Sequence, residues 1–563
     1  MATSASFVLA TTGSRRERPD VRLPEPNPEL CAEGGVLSAR RLNLLLLFFL
    51  CLGLAARGVR FFLRFPLWED ECFLCVNFLN RDMWQVLEPL QYHQVAPPLF
   101  LWIELGMVKV FGFSELALRL FPFVCSIASL FIFRHLAGRL LRGLPLLLAF
   151  AIFACSYSGA RYAAEAKQYA SDQLVSLVLL SLAVACWRKP ASRSRAWALV
   201  LFAPVAIGLS YPSVFVAGGI SLFLGGVYWQ SQERRGWPVW IAFNGAIILS
   251  LGAVFLVTAG NQSSAEIDFM RDCWQRCFPP MSGPVDLVRW FFVTHSSELF
   301  AYPMGGANGG SVLTFVCIAL GVGVLALRGH YRLMAFLLIP FGLHITAAAL
   351  QRYPYGGHVK FSQHLSPAIC ILAGLGVAGL LHARVSRQKL FRLGLAASLA
   401  FPAAVGAGCI VRDIMNPYKT RSDMRNRAFA QWFWHNTQFE GEAICLYSDV
   451  GLDYSACYRG LSWSAMYLCN QRIYSPRHAA GLPPRYDQVT AGRPLRCVIF
   501  RDPDYPDNEQ LINAWLAEMQ KRFRLVGREL YALTRFGKNE KDLAKVDHLE
   551  ILRFEPGNDG PDT

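Results

Sequence analysis

Three consecutive carboxylates, Glu69, Asp70 and Glu71, stand a few residues beyond the first apolar stretch of the chain. A carboxylate next to a membrane is costly unless it has a charged partner or a chemical task, so this cluster is a candidate functional site. Carboxylates placed in this way can take a proton from a reacting hydroxyl group, or they can bind a cation. A structural ion pair with Arg64 or Arg81 is the alternative interpretation.

The composition is that of a membrane protein with many spans. Of 563 residues, 53% are hydrophobic and only 17% are charged, and the mean hydropathy is +0.30. This is too apolar for a soluble globular protein. A net charge of +15 could indicate nucleic-acid binding, but the basic residues lie in short loops between apolar segments, where they set the topology. We therefore expect a lipid bilayer, and no nucleic acid, as the partner of this chain.

About eleven apolar stretches are long enough to cross a bilayer as helices, which takes about 17–25 residues. The expected spans are 42–64, 117–134, 143–159, 171–187, 196–212, 213–229, 238–259, 311–327, 333–350, 365–382 and 393–411. Short basic connections such as 134–142 and 384–392 mark the cytoplasmic side. The polar, Pro-rich residues 1–41 join that side as a disordered tail. The richer segments 65–116, 160–170, 260–310 and 351–364 then lie on the outer side.

Two parts of the chain break the pattern of spans. Residues 97–112 are apolar but short and carry Glu104 and Lys109, which predicts an amphipathic helix at the outer surface. Residues 413–563 lack long apolar runs. They show strand-like pieces at 443–448, 496–501, 523–528 and 548–554 and helical ones at 421–436 and 508–522, which predicts an α/β domain. The expected fold class is an α-helical polytopic membrane protein, residues 42–412, followed by an extracytoplasmic α/β domain.

The order of motifs around the carboxylates is similar to that of a known family. An apolar helix precedes Leu-Trp-Glu-Asp-Glu at 67–71, a helix then starts at Pro97-Pro98-Leu99 and ends in Phe-Gly, and a Ser-Glu-x-x-x-Arg run follows at 114–119. This order resembles the start of the GT-C membrane glycosyltransferases of glycosyltransferase family 39. That family includes the dolichyl-phosphate-mannose protein mannosyltransferases and the aminoarabinose transferases of lipid A. Segments 165–169 and 353–360 continue the resemblance more loosely.

The resemblance implies an enzyme that moves a sugar from a polyprenyl-phosphate carrier to a protein, lipid or glycan acceptor on the outer face, with inversion. In the family, the Asp of the Asp-Glu pair is the catalytic base, which carries over to Asp70. Glu71 is the second member of this catalytic pair, and we expect it to orient or hydrogen-bond its neighbours. An inverting transfer needs a carboxylate to take the proton of the acceptor. Because the departing phosphate is an anion, a nearby cation can stabilise it in place of a protein acid.

Five basic residues on the expected outer side are candidates for binding that phosphate. They are Arg161, Lys167, Arg352, His358 and Lys360. Lysine offers a point charge and arginine a planar fork. Relatives commonly have an Arg in the region of His358 and Lys360, so the sequence departs from the family there but keeps the charge.

Further candidates flank this set. His93 could contact the acceptor or the phosphate, and a capping or surface role is the alternative. Glu165, Tyr169 and Asp172 fall on one helical face at i, i+4 and i+7, and Arg161 lies four residues before Glu165. Glu165 and Tyr169 are candidate substrate-binding residues, with a local ion pair as the alternative to binding. Glu165 or Asp172 could share a divalent cation, Mg²⁺ or Mn²⁺, with Asp70, and a metal-free site stays open because relatives differ.

Two other functions compete with glycosyl transfer. A transporter or flippase of a lipid-linked saccharide would also need many spans, but it should show paired, interrupted helices in its two halves, and the sequence shows no such symmetry. A membrane scaffold with a degenerate site is the third possibility, and the intact Asp70-Glu71 pair argues against it. We expect the enzyme in a bacterial inner membrane, with a cytoplasmic N-terminus.

Overall fold

A computed structural model of the chain describes residues 37–79, 81–90, 94–189, 192–231, 236–258, 271–306, 309–383, 387–435, 443–447, 473–474, 494–501, 506–521, 523–532 and 548–557. In chain order its α-helices are α1 (Ala39–Phe62), α2 (Glu69–Cys75), α3 (Pro98–Phe111), α4 (Glu115–Leu140), α5 (Gly143–Ala154), α6 (Tyr157–Tyr162), α7 (Tyr169–Arg188), α8 (Arg193–Leu209), α9 (Ser213–Ser231), α10 (Trp237–Val257), α11 (Pro284–Thr294), α12 (Gly310–Leu327), α13 (Tyr331–Ala349), α14 (Ser366–His382), α15 (Gln388–Met415), α16 (Arg421–His435) and α17 (Pro506–Gln520).

The membrane part consists of long apolar helices. Within the described ranges, nine helices are long and apolar enough to cross a bilayer. Each of the eleven expected spans coincides with a helix, but two of these helices are not among the nine. They are α8, with 17 residues, and α5, which has only 12 residues where 143–159 was predicted. A 12-residue helix is about 18 Å long, which falls short of a hydrocarbon core of about 30 Å.

Helix α5 is short because the chain turns directly after it. Cys155 and Ser156 separate it from the six-residue α6, whose last turn carries Arg161. Nine of the twelve residues of α5 are buried, and α5 packs against α1 and α14. A helix that is apolar all round belongs inside a bundle, so α5 fills the interior. Its early end determines where along the bundle axis α6 and Arg161 lie.

The predicted helix at 97–112 is present as α3. It begins with Pro98 in its first turn, where the missing N–H costs nothing. It ends at Gly112, which has a φ of +77° that favours glycine. With 14 residues it is about 21 Å long. It packs against α4 and α8 and buries the side chain of Glu104 completely.

The part of the chain after α15 contains the predicted α/β fold. Its strands are β1 (Ala443–Tyr447), β2 (Ile473–Tyr474), β3 (Leu495–Arg501), β4 (Phe523–Ala532) and β5 (His548–Pro556), in the sheet order β2-β1-β3-β5-β4. Strand β1 is parallel to β2 and β3, with Cys445 opposite Cys497, and β5 is antiparallel to β3 and β4. All four predicted strands and both predicted helices lie where the sequence pattern placed them.

Helix α16 connects this sheet to the membrane helices. The Arg427 side chain donates a 2.6 Å hydrogen bond to the carbonyl of Arg64 at the end of α1, and it lies 3.8 Å from the Glu115 carboxylate at the start of α4. On its other side, the Phe429 ring packs 5.1 Å from that of Tyr531 in β4. The first helix after the last span is therefore fixed next to the segment that carries Asp70.

Candidate active site

The segment that presents Asp70 is held by one buried arginine. Helix α1 ends at Phe62, Arg64 has a φ of +48°, and Asp70 then lies in the first turn of α2. Arg119, on α4, donates hydrogen bonds to the carbonyls of Phe65 at 2.5 Å and Pro66 at 3.2 Å. Arg119 thereby fixes the extended stretch that leads into α2 and sets the direction in which Asp70 points.

Glu71 is the partner of that arginine. Its two oxygens accept hydrogen bonds from Arg119 Nη2 at 2.6 Å and Nε at 2.8 Å. They also accept from the backbone N–H of Ala166 at 2.7 Å and of Trp68 at 3.1 Å. Arg81, expected as one alternative partner, instead donates to carbonyls of its own loop. With four donors bound and only 2% of its surface exposed, Glu71 is a positioning residue whose oxygens are already occupied.

Asp70 has a different environment. One of its oxygens lies 3.1 Å from Lys167 Nζ and the other 3.6 Å from Lys360 Nζ, and its side chain is 21% exposed. Burial alone would raise the pKa of Asp70, but attraction by Lys167 and Lys360 outweighs burial and holds the pKa well below its usual value. Asp70 is therefore ionised and remains within reach of a bound molecule.

The turn between α6 and α7 supplies the next charges. The Glu165 carboxylate accepts hydrogen bonds from Arg161 Nε at 3.2 Å and from the Trp68 indole at 3.1 Å. Burial would raise the pKa of Glu165, but Lys419 and Arg161 together lower it to about 2. Lys167 also donates to the Gln94 side chain at 2.5 Å. Arg161 and Glu165 thus form a local ion pair, and their role in substrate binding stays a prediction.

Lys419 completes the cluster, and sequence reasoning missed it. It lies on the short link 416–420 between α15 and α16. Its Nζ stands 3.0 Å from the centroid of the Trp68 ring, a cation–π contact, and 3.8 Å from a Glu165 oxygen. Burial lowers the pKa of Lys419 to about 7, although Glu165 opposes the shift. Its one sequence signal was its place just after the last span, on the expected outer side.

His358 and Lys360 are brought to the same place by the segment before α14. The His358 Nδ1 accepts a 3.1 Å hydrogen bond from the backbone N–H of Lys360 and lies 3.5 Å from the Tyr162 hydroxyl. Burial and the charges of Lys360 and Arg161 lower the pKa of His358 to about 3, so its ring is neutral. The Lys360 ammonium also lies 4.3 Å from the centroid of the Trp274 ring.

A cavity of about 660 Å³ adjoins the cluster. Arg161 and His358 line it from the side of the carboxylates, and Arg412 and Glu298 add further charge. The small residues Gly408 and Cys409 of α15 form part of its wall. The surface of α15 is largely exposed along its apolar stretch, so the cavity is bordered on one side by the charged cluster and on another by a helix at the outside of the bundle.

The remaining predicted residues are placed differently. Tyr169 is buried at the start of α7 with its ring 4.9 Å from that of Tyr162. Asp172 is buried one turn further on, and its Oδ1 has no hydrogen-bond partner among the described residues. Arg352 is exposed, and no described contact joins its side chain to the cluster. His93 lies outside the described residues.

The described residues do not form a site that fits a divalent cation. No group of three or more His, Cys, Asp or Glu among them could hold a metal ion. One oxygen of Asp70 faces the ammonium group of Lys167 and the other faces that of Lys360. These two ammonium groups occupy the positions that a metal ion bound to Asp70 would take. A Mg²⁺ or Mn²⁺ that Asp70 would share with Glu165 or Asp172 has no further support among the described residues and stays a prediction.

Known structures share the fold. No protein-family model and no curated protein matches the chain. ArnT from Cupriavidus metallidurans bound to undecaprenyl phosphate is similar over 90% of this chain and 97% of its own, with 13% identity and a TM-score of 0.54. The apo state of the same protein covers the same shares at 13% identity and a TM-score of 0.50. The Archaeoglobus fulgidus oligosaccharyltransferase tethered to an acceptor peptide matches 93% of this chain and 74% of its own, at 12% identity and a TM-score of 0.47.

At these identities the likeness concerns the fold. The match to ArnT extends over the membrane helices and the region after them, since it covers 90% of the chain. The GT-C fold expected from the order of motifs is therefore confirmed.

Proposed function

We propose that this chain is an integral-membrane glycosyltransferase that takes a sugar from a polyprenyl phosphate and transfers it to an acceptor, with Asp70 as the base and with inversion. The proposal rests on the charge balance at the site. Four cationic side chains, Arg161, Lys167, Lys360 and Lys419, face two carboxylates, those of Asp70 and Glu165.

When Lys419, whose pKa is about 7, is protonated, the balance leaves a surplus of two positive charges in a largely buried cluster. Glu71 does not reduce the surplus, because Arg119 neutralises it. Buried charge of one sign is unfavourable without a counter-ion. The departing polyprenyl phosphate is a monoester with a charge of about −2 near neutral pH, which matches this surplus. Preorganised cations around a departing phosphate also stabilise the transition state directly.

The cavity is the place for the donor in this proposal. Its 660 Å³ is within the range of about 300–1,000 Å³ that is typical of ligand pockets. Arg161 and Arg412 offer two guanidinium groups for a phosphate, and the wall formed by α15 is apolar enough for an isoprenoid chain. The undecaprenyl phosphate bound by ArnT, which has the same fold, supports a donor of this class.

Binding of the donor also activates the base. In the free protein Lys167 and Lys360 hold the pKa of Asp70 low, and a carboxylate with such a low pKa is a weak base. A phosphate competes for the same two ammonium groups, so its arrival frees the Asp70 oxygens and raises their proton affinity. Asp70 therefore becomes an effective base only when a donor is present.

The reaction then proceeds by a single displacement. The acceptor oxygen forms a bond to the anomeric carbon as the bond from that carbon to the phosphate oxygen breaks. The acceptor proton moves to Asp70, and the electron pair of the broken bond moves to the phosphate. The ammonium groups of Lys167 and Lys360 stabilise the charge that develops there.

The placement of the charges supports a site at one end of the bundle. Asp70 follows α1, Lys167 precedes α7, Lys360 precedes α14 and Lys419 follows α15. The short basic connections face the cytoplasm in the expected topology, so we place this end on the outer face of a bacterial inner membrane, with the N-terminus inside. A transporter would instead carry its charged residues near the middle of the membrane.

Transfer of labelled sugar tests the proposal. The full chain is purified into lipid nanodiscs and given polyprenyl-phosphate monosaccharides one at a time, with envelope lipids and peptides as acceptors. We expect transfer from one of these donors, a loss of about 100-fold or more in Asp70→Asn, and normal transfer in Glu88→Gln. Glu88 is an exposed acid of the same loop and serves as the matched control. Full transfer by Asp70→Asn would refute the assignment of the base.

A further inference from the structure

We propose that Lys419 is a catalytic residue that binds the departing phosphate and that the region after the last span delivers it to the site. This inference deepens the proposed function and rests on it. Lys419 belongs neither to the motifs of the N-terminal quarter nor to the spans, since it lies on the link between α15 and α16.

The link is fixed at both of its ends. Before it, the carboxylate of Asp413 forms a buried ion pair with Arg60 of α1 at 2.8 Å. After it, Arg427 of α16 holds the carbonyl of Arg64 at 2.6 Å and approaches Glu115 at 3.8 Å. Both anchors attach to the helix ends that border the Asp70 segment, so the position of Lys419 is set by the same elements that set Asp70.

Lys419 is the member of the cluster whose charge is least satisfied. Its Nζ is buried and has no hydrogen-bond partner in the part of the chain that the structure describes. The nearest anion is Glu165 at 3.8 Å, and both oxygens of Glu165 already accept hydrogen bonds, from Trp68 and Arg161. An ammonium group with three unused donors in a buried setting is unfavourable, and an arriving anion relieves this cost.

Glu165 places Lys419 next to the entrance of the donor. It contacts Arg161 through one oxygen and lies near Lys419 through the other, and Arg161 lines the cavity. A phosphate that enters along the cavity and contacts Arg161 is therefore separated from Lys419 only by the carboxylate of Glu165. The Trp68 ring supports the ammonium on one side at 3.0 Å, which leaves its donors free for the phosphate.

Binding of undecaprenyl phosphate to the full chain in nanodiscs tests the role of Lys419. A charged hydrogen bond contributes about 1.5–3 kcal/mol, so we expect Lys419→Met to weaken the affinity by about 10- to 100-fold. Lys419→Arg keeps the charge and should retain most of the affinity. Lys521→Met is the matched control, because Lys521 is an exposed lysine of the same C-terminal region that pairs with its neighbour Glu518, and it should bind as the wild type does.

The pH dependence of the affinity for undecaprenyl phosphate provides a second readout, which a merely structural role of Lys419 would not change. The charges of Glu165, Arg161, Glu71 and Asp70 act on Lys419, and Lys419 acts on His358, whose pKa is lowered to about 3. Carboxylates and guanidinium groups ordinarily titrate well outside the range from about pH 7.5 to 9. Binding a phosphate in this range requires proton uptake by Lys419, so the wild-type affinity should fall by up to about 10-fold per pH unit. The affinity of Lys419→Met should stay flat over the same range.

The outcomes separate this inference from the proposed function. If Lys419→Met binds undecaprenyl phosphate like the wild type while Asp70→Asn is inactive, the role of Lys419 is wrong and the function stands. If Lys419→Met is unstable but its folded fraction binds normally, Lys419 is structural and the inference is again wrong. If the wild type itself fails to bind the lipid, or Asp70→Asn transfers fully, the proposed function fails.

Discussion

Replacing Glu71 by Gln should damage the stability of the protein rather than its chemistry. The amide has nearly the shape of the carboxylate but turns one acceptor oxygen into a donor. Each Glu71 oxygen accepts one hydrogen bond from Arg119 and one from a backbone N–H, so whichever oxygen is replaced, two hydrogen bonds are lost. The change also leaves the buried charge of Arg119 without a counter-ion.

The expected loss in the free energy of unfolding follows from the type of interaction, a buried ion pair. Removing one partner of a buried ion pair costs about 3–5 kcal/mol, and Arg119 is only 2% exposed, so water cannot replace the lost carboxylate. The free energy of unfolding, measured by denaturant titration in micelles, should fall by about this amount in Glu71→Gln. Substituting both partners, as Glu71→Leu with Arg119→Met, removes the buried charge, but it also takes away the partners of the Phe65 and Pro66 carbonyls and of the Trp68 and Ala166 N–H groups. The double variant should therefore recover only part of the loss.

The same samples also report transfer activity. Per folded molecule, Glu71→Gln should transfer much faster than Asp70→Asn, which should lose about 100-fold or more. A Glu71→Gln protein with wild-type stability and no transfer would refute this reasoning, since it would make Glu71 a chemical group and not a positioning residue.

Two further predictions concern the cations. The pKa of Asp70 is depressed in the folded protein, so the stability contributed by its lysine partners is present above the unfolded pKa of about 3.9 and is lost as the pH falls through the lower folded pKa. In denaturant titrations between about pH 5 and 2, the free energy of unfolding should therefore fall less steeply with acid for Lys167→Met than for the wild type. Equal slopes would contradict a stabilising ion pair between Lys167 and Asp70. Arg352→Met should change the transfer rate by less than about 2-fold, because Arg352 is exposed and lies outside the cluster. A loss of transfer as large as that of Lys360→Met would show instead that Arg352 belongs to the site.

The fold was predictable to a large extent because its signals are local. The apolar runs predicted a helix at each expected span, and the strand-like pieces at 443–448 and 548–554 predicted strands at the right residues. The short length of α5 was not predictable from hydropathy, since residues 143–159 are apolar almost throughout. The turn at Cys155 and Ser156 depends on the packing of α6 near α1 and α4.

The site was predictable only in part because its contacts are long-range. Asp70, Lys167 and Lys360 could be assigned to one side of the membrane from the loop charges, and the structure brings them together. The same argument placed Arg352 on that side, although its side chain is exposed. The partner of Glu71 is Arg119, 48 residues away. The Ser-Glu-x-x-x-Arg run at 114–119 contains Arg119, but nothing in that run indicates that it pairs with Glu71.

Lys419 shows the same limit more clearly. Its neighbours Trp68 and Glu165 lie in two distant segments, and the region after the last span carried no motif of its own. From the sequence alone, a lysine at this position is expected to be a solvated surface charge. Its burial follows only from the packing of α16 against Arg64. The sequence could therefore indicate Asp70 and three of the four cations of the cluster, but not Lys419.

The affinity of Asp70→Asn for undecaprenyl phosphate, measured together with its transfer rate, tests the central claim most directly. The neutral amide would no longer hold Lys167 and Lys360, which now lie 3.1 and 3.6 Å from the carboxylate, so both ammonium groups become free for the phosphate. The account predicts that the variant binds the lipid at least as tightly as the wild type and transfers at least about 100-fold more slowly. A variant that transfers normally, or that loses transfer only because it no longer binds the lipid, would contradict the account.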